Sequence, residues 1–150
     1  MKKINSSNFN TGFTLIEMMV TVTIIAILAA IALPSYASYI TKSKAKNAAS
    51  DLVTLNLVIE SLYLRNLTYP TPTTNPTTST TATQTYAAGW QPVESENFEY
   101  TLTVNSSAKT YTLTATGKTG TRNAGCTLTL NQANTRTISG GTTCGGLSSW

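Results

Sequence analysis

The chain contains 150 residues, with ten lysines and arginines, six aspartates and glutamates, and a formal net charge of +4. This length supports one domain, and the charge is only weakly basic, far from the balance of a nucleic-acid-binding protein. The sequence contains no histidine and no phosphate-binding glycine loop, which excludes histidine-based catalysis and most zinc sites, and we expect neither an enzyme nor a cofactor or metal.

The N-terminal region combines a short basic leader with a long apolar run. Residues 1–12 carry Lys2 and Lys3, have no acidic residue and end in Gly12. The run 13–33, about 21 residues, is long enough to cross a bilayer as a helix, and the two lysines would keep the leader cytoplasmic. A secretory signal is cut after its hydrophobic stretch; cleavage after Gly12 would instead leave this stretch on the mature protein. The alternative is an uncleaved single-span anchor.

One acidic residue, Glu17, lies near the start of the apolar run, in the sequence Phe-Thr-Leu-Ile-Glu that begins at Phe13. An ionised carboxylate is expensive both in a bilayer and in a packed apolar core. We therefore expect Glu17 to meet a partner charge, because a plain membrane anchor would have no use for it.

The basic leader ending in Gly12, the aromatic residue Phe13 and the acid four residues later together resemble the start of a type IV prepilin. The resemblance implies that a membrane peptidase cuts the Gly12–Phe13 bond and methylates the new terminus at Phe13. It also implies that Glu17 neutralises the N-terminal ammonium of a neighbouring subunit in a filament. Such charges attract strongly in a low-dielectric bundle, and a shifted subunit would leave both unpaired, so Glu17 would also fix the register.

Beyond the apolar run, apolar residues recur at spacings of three and four, which predicts an amphipathic helix with one face on a core. We expect a helix from Phe13 to about Arg65, with a stem at 13–40 and a globular head at 41–150. Pro34 is expected to kink this helix, and the resemblance adds that the stem can lose helix around it in filaments. The apolar stripe consists of Ala45, Ala48, Leu52, Leu55, Ile59 and Leu62; the solvated or partner-facing side carries Lys42, Lys44, Lys46, Asn47, Ser50 and Glu60.

A threonine-rich loop is predicted between residues 66 and 97. Residues 71–83 are mostly threonine, proline, serine and asparagine without an apolar period, and indicate an extended surface loop. The composition also resembles O-glycosylated stretches, although an unmodified polar loop is favoured. Tyr86 and Trp90 are expected to fasten the end of this loop to the head.

Alternating apolar and polar residues then predict two β-hairpins. The first pairs a strand at 98–104 with one at 111–116 across a turn at 105–107, and the second joins a strand at 126–130 to one that passes through Ile138. Each hairpin has an apolar face, and the outer face is rich in threonine. The fold class is therefore α+β, a pilin fold in which a long N-terminal helix packs on a four-stranded antiparallel sheet.

The two cysteines, Cys126 and Cys144, both lie in the C-terminal region. In an exported protein an even pair indicates a disulfide, which would close a loop of about 19 residues and contribute roughly 3 kcal/mol. Two free thiols are the alternative. The resemblance favours the bond, since many pilins close their C-terminal region with one disulfide.

The resemblance is dense at residues 12–39 and implies a structural subunit of a type IV pilus, most like a minor pilin of the type IVa system. Such a subunit acts in pilus assembly, with twitching motility, adhesion or DNA uptake as downstream roles. Its partners would be other pilin subunits, the prepilin peptidase and the inner-membrane assembly machinery. The chain would span the inner membrane once, with its head in the periplasm, before entering an extracellular filament.

A pseudopilin of a type II secretion system shares the N-terminal signature and is one alternative. Pseudopilins of the main kind often rely on calcium rather than a disulfide, so the two cysteines argue mildly against this assignment. The acids Glu94, Glu96 and Glu99 lack the spacing of a calcium loop.

A DNA-binding competence pilin is the other alternative. Phosphate binding needs a basic patch, and Lys118 and Arg122 share the glycine-containing loop Gly-Lys-Thr-Gly-Thr-Arg. These two residues are the candidate DNA contacts, and Lys109 and Arg136 could join them across the sheet. Solvated loop charges are the favoured interpretation of this pattern.

Overall fold

The computed structural model describes residues 12–150, and the predictions for the leader, including Lys2 and Lys3, fall outside the described residues. These residues contain two α-helices, four β-strands and a short 3₁₀ helix. In chain order the elements are α1 (Leu15–Asn66), α2 (Thr80–Tyr86), β1 (Phe98–Asn105), β2 (Thr110–Gly117), β3 (Thr127–Asn131), β4 (Arg136–Ser139) and the 3₁₀ helix Gly141–Cys144.

The chain divides into two compact units between Tyr36 and Ala37. In the first unit the apolar side chains of α1 are exposed. An 18-residue window of this helix has a mean hydropathy of 2.5 and none of it is buried, so α1 is long and apolar enough to cross a membrane. Helix α1 continues through Pro34 without interruption, and the expected loss of helix at this proline inside a filament stays a prediction.

In the second unit, α1 buries the apolar stripe that its sequence predicts. The residues of this stripe from Ala45 to Ile59 are fully buried, and Leu62 packs against the same core. The opposite face is less uniform than predicted: Ser50 is exposed, whereas Lys44 and Glu60 bond to side chains from other parts of the head.

The four strands form one antiparallel sheet in the order β1-β2-β3-β4, which confirms both predicted hairpins. Burial alternates along β1 and β2 because successive side chains point to opposite faces of a sheet. The buried face shares a single core with α1, so the α+β fold class is confirmed. Its fully buried large side chains are Phe98, Tyr100, Leu102, Leu113, Leu128 and Leu130.

Cys126 and Cys144 form the predicted disulfide, with their Cα atoms 5.0 Å apart. Immediately after it, Gly145 has a φ of +66°, and a Cβ at this position would lie 2.4 Å from the Cα of Lys42. The C-terminal loop therefore lies directly on α1. Further along, the indole N–H of Trp150 donates to the carbonyl of Thr137 in β4 at 2.7 Å.

The prediction of an extended surface loop at residues 71–83 holds for residues 71–79, which form no helix or strand and are mostly exposed, and is wrong from Thr80 onwards. Helix α2 begins inside this segment, Ser79 caps it by accepting from the N–H of Ala82, and Thr77 and Thr83 are buried. The prediction failed for helix α2 because it depended on apolar periodicity, whereas polar side chains hold this segment in place.

These polar side chains cover the free edge of β1. The side-chain amide of Asn75 donates to the carbonyl of Val104 and accepts from its N–H, at 2.6 and 3.0 Å. A strand edge presents unpaired backbone groups, and here short hydroxyl and amide side chains satisfy them in place of another strand. Thr77 accepts from the N–H of Leu102 with its hydroxyl and donates its own backbone N–H to the carbonyl of Leu102. The hydroxyl of Thr80 accepts from the N–H of Tyr100, and that of Thr83 donates to the carbonyl of Tyr100.

Trp90 and Tyr86 fasten the end of the segment to the head as predicted, and Tyr86 packs against the core. Trp90 is buried, and its indole N–H donates to the carbonyl of Asp51 in α1 at 3.1 Å. The hydroxyl of Tyr86 donates to the carbonyl of Pro70 at 2.6 Å, so Tyr86 closes the segment on itself.

Candidate functional sites

The predicted cleavage junction lies outside helix α1. Residues 12–14 have no regular secondary structure, and the side chain of Phe13 is 77% exposed. Among the described residues other than its neighbours in the chain, no atom lies within 4 Å of a Cβ built on Gly12. The packing of the chain therefore does not require glycine here, and a preference for glycine would come from an enzyme that binds the junction.

Glu17 caps the start of its own helix. Its N–H donates to the hydroxyl of Thr14 at 3.3 Å, and its carboxylate accepts from the N–H of Thr14 at 3.4 Å. This reciprocal pair is a capping box, with Thr14 as the N-cap and Glu17 three residues later. The sequence signal for this capping box is the spacing of threonine and glutamate in Thr-Leu-Ile-Glu. The same four residues also begin the apolar run, which makes this signal easy to overlook.

The capping box leaves the Glu17 carboxylate available to a further charge. The bonds to Thr14 are long for hydrogen bonds, and Glu17 is exposed. A negative charge in the first turn is also favoured by the helix dipole. The carboxylate is thus held at the start of α1 in a position that an ammonium group from outside the chain can reach.

Lys118 and Arg122 lie in the loop between β2 and β3, which we call the basic loop (residues 118–125). The N–H of Lys118 donates to the carbonyl of Asn97 at 2.9 Å, and its ammonium group donates to the carbonyl of Ser95 at 2.6 Å. Arg122 is exposed. The loop therefore presents one tethered and one exposed cation.

Asn123 anchors the basic loop to the rest of the head. Its side chain is fully buried, and its amide donates to the carbonyls of Thr41 in α1 and Thr143 beside the disulfide, both at 3.0 Å. The loop also packs closely against the end of β2: a Cβ at Gly117 would lie only 1.8 Å from the carbonyl oxygen of Asn123. Arg122 is thus positioned by a fixed neighbour, and no pattern in the sequence singles out Asn123 for this role.

The expectation that Lys109 and Arg136 join Lys118 is wrong. Lys109 precedes β2 and Lys118 follows it, so the length of a strand separates them, about 30 Å at the usual rise. Arg136 is level with Leu113 in the register, five residues from Lys118, or about 16 Å along the sheet. Arg136 also lies over the ring of Trp150, at 5.1 Å from its centre.

Lys44, rather than Lys109 or Arg136, shares a contact with Lys118. Its ammonium group donates to the side-chain carbonyl of Asn97 at 2.8 Å, while the backbone carbonyl of Asn97 accepts from Lys118. Lys44 from α1 and Lys118 from the basic loop therefore meet at one residue. Helical periodicity predicts that Lys44 lies on the solvated or partner-facing side of the helix. Only the tertiary structure brings it to the basic loop.

A surface groove of about 550 Å³ lies beside Lys118 on the outer face of the sheet. Hydroxyl groups of three threonines and the lysine favour a phosphate, whereas Glu99 at the same groove opposes one. Arg122 lies outside this groove. Its lining consists of Glu99, Thr101, Thr116, Gly117, Lys118 and Thr119.

Two buried carboxylates connect α1 to the segment that holds the basic loop. Asp51, which is 4% exposed, accepts from the N–H groups of Val93 and Glu94 at 3.0 Å and from the hydroxyl of Tyr100 at 2.6 Å. Glu94 in turn accepts from the side-chain amide of Asn97 at 2.9 Å. These bonds satisfy both carboxylates, so we assign them a structural role.

A second polar cluster surrounds Glu60. Its carboxylate accepts from the hydroxyls of Tyr69 at 3.1 Å and Tyr111 at 2.6 Å. Burial and the hydrogen bond to Glu60 raise the pKa of Tyr69 from 10.0 to about 12, and the same causes raise the pKa of Tyr111. Burial and the bond to Asp51 likewise raise the pKa of Tyr100.

These shifts predict a loss of stability in alkali. The folded state keeps Tyr69 protonated to a higher pH than the unfolded chain does, so the free energy of unfolding falls between pH 10 and about 12. In Tyr69→Phe the fall should be shallower, measured by urea unfolding of the full chain in detergent micelles with tryptophan fluorescence. Tyr36→Phe, at an exposed position, is the control; equal slopes for Tyr69→Phe and the unmodified chain would contradict the assignment.

Two family models match the chain. The model described as the prokaryotic N-terminal methylation motif matches residues 8–33. The model described as "Type IV minor pilin ComP, DNA uptake sequence receptor" matches residues 34–131, about two thirds of the chain. The second match includes Lys44 and the basic loop.

Curated pilins are similar to the chain over shorter stretches. The type IV major alpha-pilin of Moraxella bovis is 53% identical over 45 residues, which cover 30% of this chain and 28% of that protein. The major fimbrial protein FimA of Dichelobacter nodosus and a fimbrial protein of Pseudomonas aeruginosa are each 47% identical over 53 residues, covering 35% of this chain and 34% of theirs. The chain thus spans about a third of the length of these relatives.

Proposed function

Because the chain belongs to the family described as the type IV minor pilin ComP, DNA uptake sequence receptor, we propose that it binds DNA at the surface of a type IV pilus. The chain is a type IV pilin subunit, anchored in the membrane before assembly and part of the pilus filament afterwards. The family match over the head is the observation that carries the proposal. The role is structural and DNA-binding, without catalysis.

The cations of the matched region support DNA binding. Lys44 and Lys118 both bond to Asn97, through the ammonium group of Lys44 and the backbone N–H of Lys118, and Arg122 follows Lys118 by four residues in the basic loop. Cations that neutralise phosphates supply most of the sequence-independent affinity for DNA. Phosphate contacts position a protein on the duplex, while base contacts give sequence preference; exposed Arg122 has the fork of donors that guanine recognition needs.

The test is a paired substitution in the basic loop. Lys118→Gln with Arg122→Gln should weaken binding of duplex DNA by the full chain in detergent micelles and lower the slope of log affinity against log salt by about 2. Fluorescence anisotropy at several salt concentrations measures both quantities.

The control variant removes the same charges from elsewhere on the sheet. Lys109→Gln with Arg136→Gln also takes away one lysine and one arginine, and should leave affinity and slope close to those of the unmodified chain. If the control pair loses affinity and the basic-loop pair does not, the DNA contact lies elsewhere and our assignment of Lys118 and Arg122 is refuted.

We also propose that the prepilin peptidase cuts after Gly12 and methylates Phe13, and that Glu17 then pairs with the N-terminus of a neighbouring subunit. The exposed junction and the accessible carboxylate support both steps. Mass spectrometry of sheared, purified filaments should find this chain at a low level with a methylated Phe13. Its absence from filaments, with the processed form confined to the membrane and periplasm, would favour a type II secretion pseudopilin.

A further inference from the structure

A cavity on α1, just beyond the apolar segment, is unused by the proposed DNA contact. It has a volume of about 260 Å³ and is lined by Tyr39, Lys42, Ser43 and Lys46. Two ammonium groups and a hydroxyl can all donate to a phosphate. Within residues 12–150, no carboxylate lines this cavity. Its chemistry therefore fits an anion.

The position of the cavity along the chain identifies a source of that anion. Tyr39 follows the end of the apolar run at Leu33 by six residues in the sequence. Tyrosine side chains are enriched at this level, where hydrocarbon gives way to headgroups. Tyr39 is 68% exposed, as expected for a side chain whose ring meets lipid rather than protein.

The charge distribution points the same way. Lys42, Lys44 and Lys46 follow the membrane segment on the exported side, opposite to the usual excess of basic residues on the cytoplasmic side. Lys44 is bound to Asn97, which leaves Lys42 and Lys46 facing the cavity. Basic residues beside a membrane span are attracted to anionic lipids.

The head fixes the backbone of this helical turn. The C-terminal loop lies against the backbone of Lys42 at Gly145, and Asn123 holds the carbonyl of Thr41. The cavity-lining side chains therefore project from a turn of α1 that the fold keeps rigid. Because this backbone is already ordered, a ligand that binds here does not have to order it.

We propose that Tyr39, Lys42, Ser43 and Lys46 bind an anionic phospholipid in the exported leaflet of the inner membrane, before the subunit enters a filament. The two ammonium groups and the Ser43 hydroxyl hold the headgroup phosphate, and the ring of Tyr39 lies at the level of the upper acyl chains. The bound lipid keeps the head at the membrane surface, and the site must release this lipid when the subunit enters a filament.

Native mass spectrometry of the full chain in detergent tests this assignment. Phosphatidylglycerol should bind more tightly than phosphatidylcholine, and Lys42→Gln with Lys46→Gln should weaken the binding of phosphatidylglycerol about thirtyfold. Raised salt should weaken it in the unmodified chain. Tyr39→Ala should weaken both lipids while the preference for phosphatidylglycerol remains.

The matched control is Arg65→Gln with Lys109→Gln, which removes two exposed charges far from this cavity in sequence and should keep the lipid preference. Tryptophan fluorescence checks that each variant is folded. Equal affinity for the two lipids, or an equal loss in the control, overturns the proposal. Displacement of the lipid by millimolar inorganic phosphate would assign the site to free phosphate. A loss of duplex DNA affinity in Lys42→Gln with Lys46→Gln, without any lipid preference, would assign it to DNA.

Discussion

Replacing Glu17 by alanine should lower the amount of this chain in filaments by a factor on the order of 100, while peptidase cleavage and membrane insertion continue. In a filament the N-terminal ammonium of a neighbour would be buried without its partner, and breaking a buried ion pair costs about 3–5 kcal/mol. The measurement is the ratio of the chain in sheared filaments to the chain in membranes, by quantitative mass spectrometry.

The capping box at Glu17 makes a sharper control available for this prediction. Alanine removes the negative charge and the half of the capping box in which the carboxylate accepts from Thr14, while the backbone N–H of residue 17 can still donate to the hydroxyl of Thr14. Glutamine at the same position can keep the capping box but not the charge. Glu17→Gln should therefore fail to assemble nearly as severely as Glu17→Ala, and Thr14→Val should assemble better than both. Normal assembly of Glu17→Gln would show that the cap, and not the ion pair, matters.

Replacing Asp51 by alanine should destabilise the head by about 3–6 kcal/mol. The substitution leaves the N–H of Glu94 and the hydroxyl of Tyr100 buried, and the N–H of Val93 partly buried, without their acceptor, and each unsatisfied buried group costs about 1–3 kcal/mol. Urea unfolding of the full chain in detergent, followed by the fluorescence of buried Trp90, measures the loss.

Two further variants separate the hydrogen bonds of Asp51 from its charge. Asp51→Asn keeps one side-chain oxygen as an acceptor and should be destabilised less than Asp51→Ala. Glu96→Ala removes an exposed carboxylate and should change the free energy of unfolding by less than about 0.5 kcal/mol. A loss below about 1 kcal/mol in Asp51→Ala would mean that water replaces the carboxylate, and would remove Asp51 from the network that supports the basic loop.

Glu17 and Asp51 differ in how far the amino-acid sequence leads to them. Glu17 stands out because it is the one acid in a long apolar run. The sequence does not predict that Asp51 and Glu94 are buried, because an isolated acidic residue in a helix or loop is normally solvated. The donors to Asp51 come from Val93, Glu94 and Tyr100, more than 40 residues away. Glu94 accepts from the side-chain amide of Asn47 in α1, 47 residues away. Only folding brings such donors to a carboxylate and makes its burial tolerable.

The threonine-rich segment shows a different limit. Its residues lack apolar periodicity, which is the strongest local signal of secondary structure. Asn75 and Thr77 nevertheless order the segment by bonding to the edge of β1. A polar side chain can bond to water or to a strand edge, and its own sequence does not distinguish the two.

Local sequence was enough to locate the membrane segment, the strands and the cysteine pair, and to predict the cleavage junction and the role of Glu17. Each of these depends on composition or short spacing, since apolar length and side-chain alternation act within a single element. Which cations lie together depended on tertiary structure alone. Strand length separates Lys109 from Lys118, while the packing of α1 brings Lys44 to Asn97. Charges interact through space, so their grouping depends on contacts between elements that are distant in the chain.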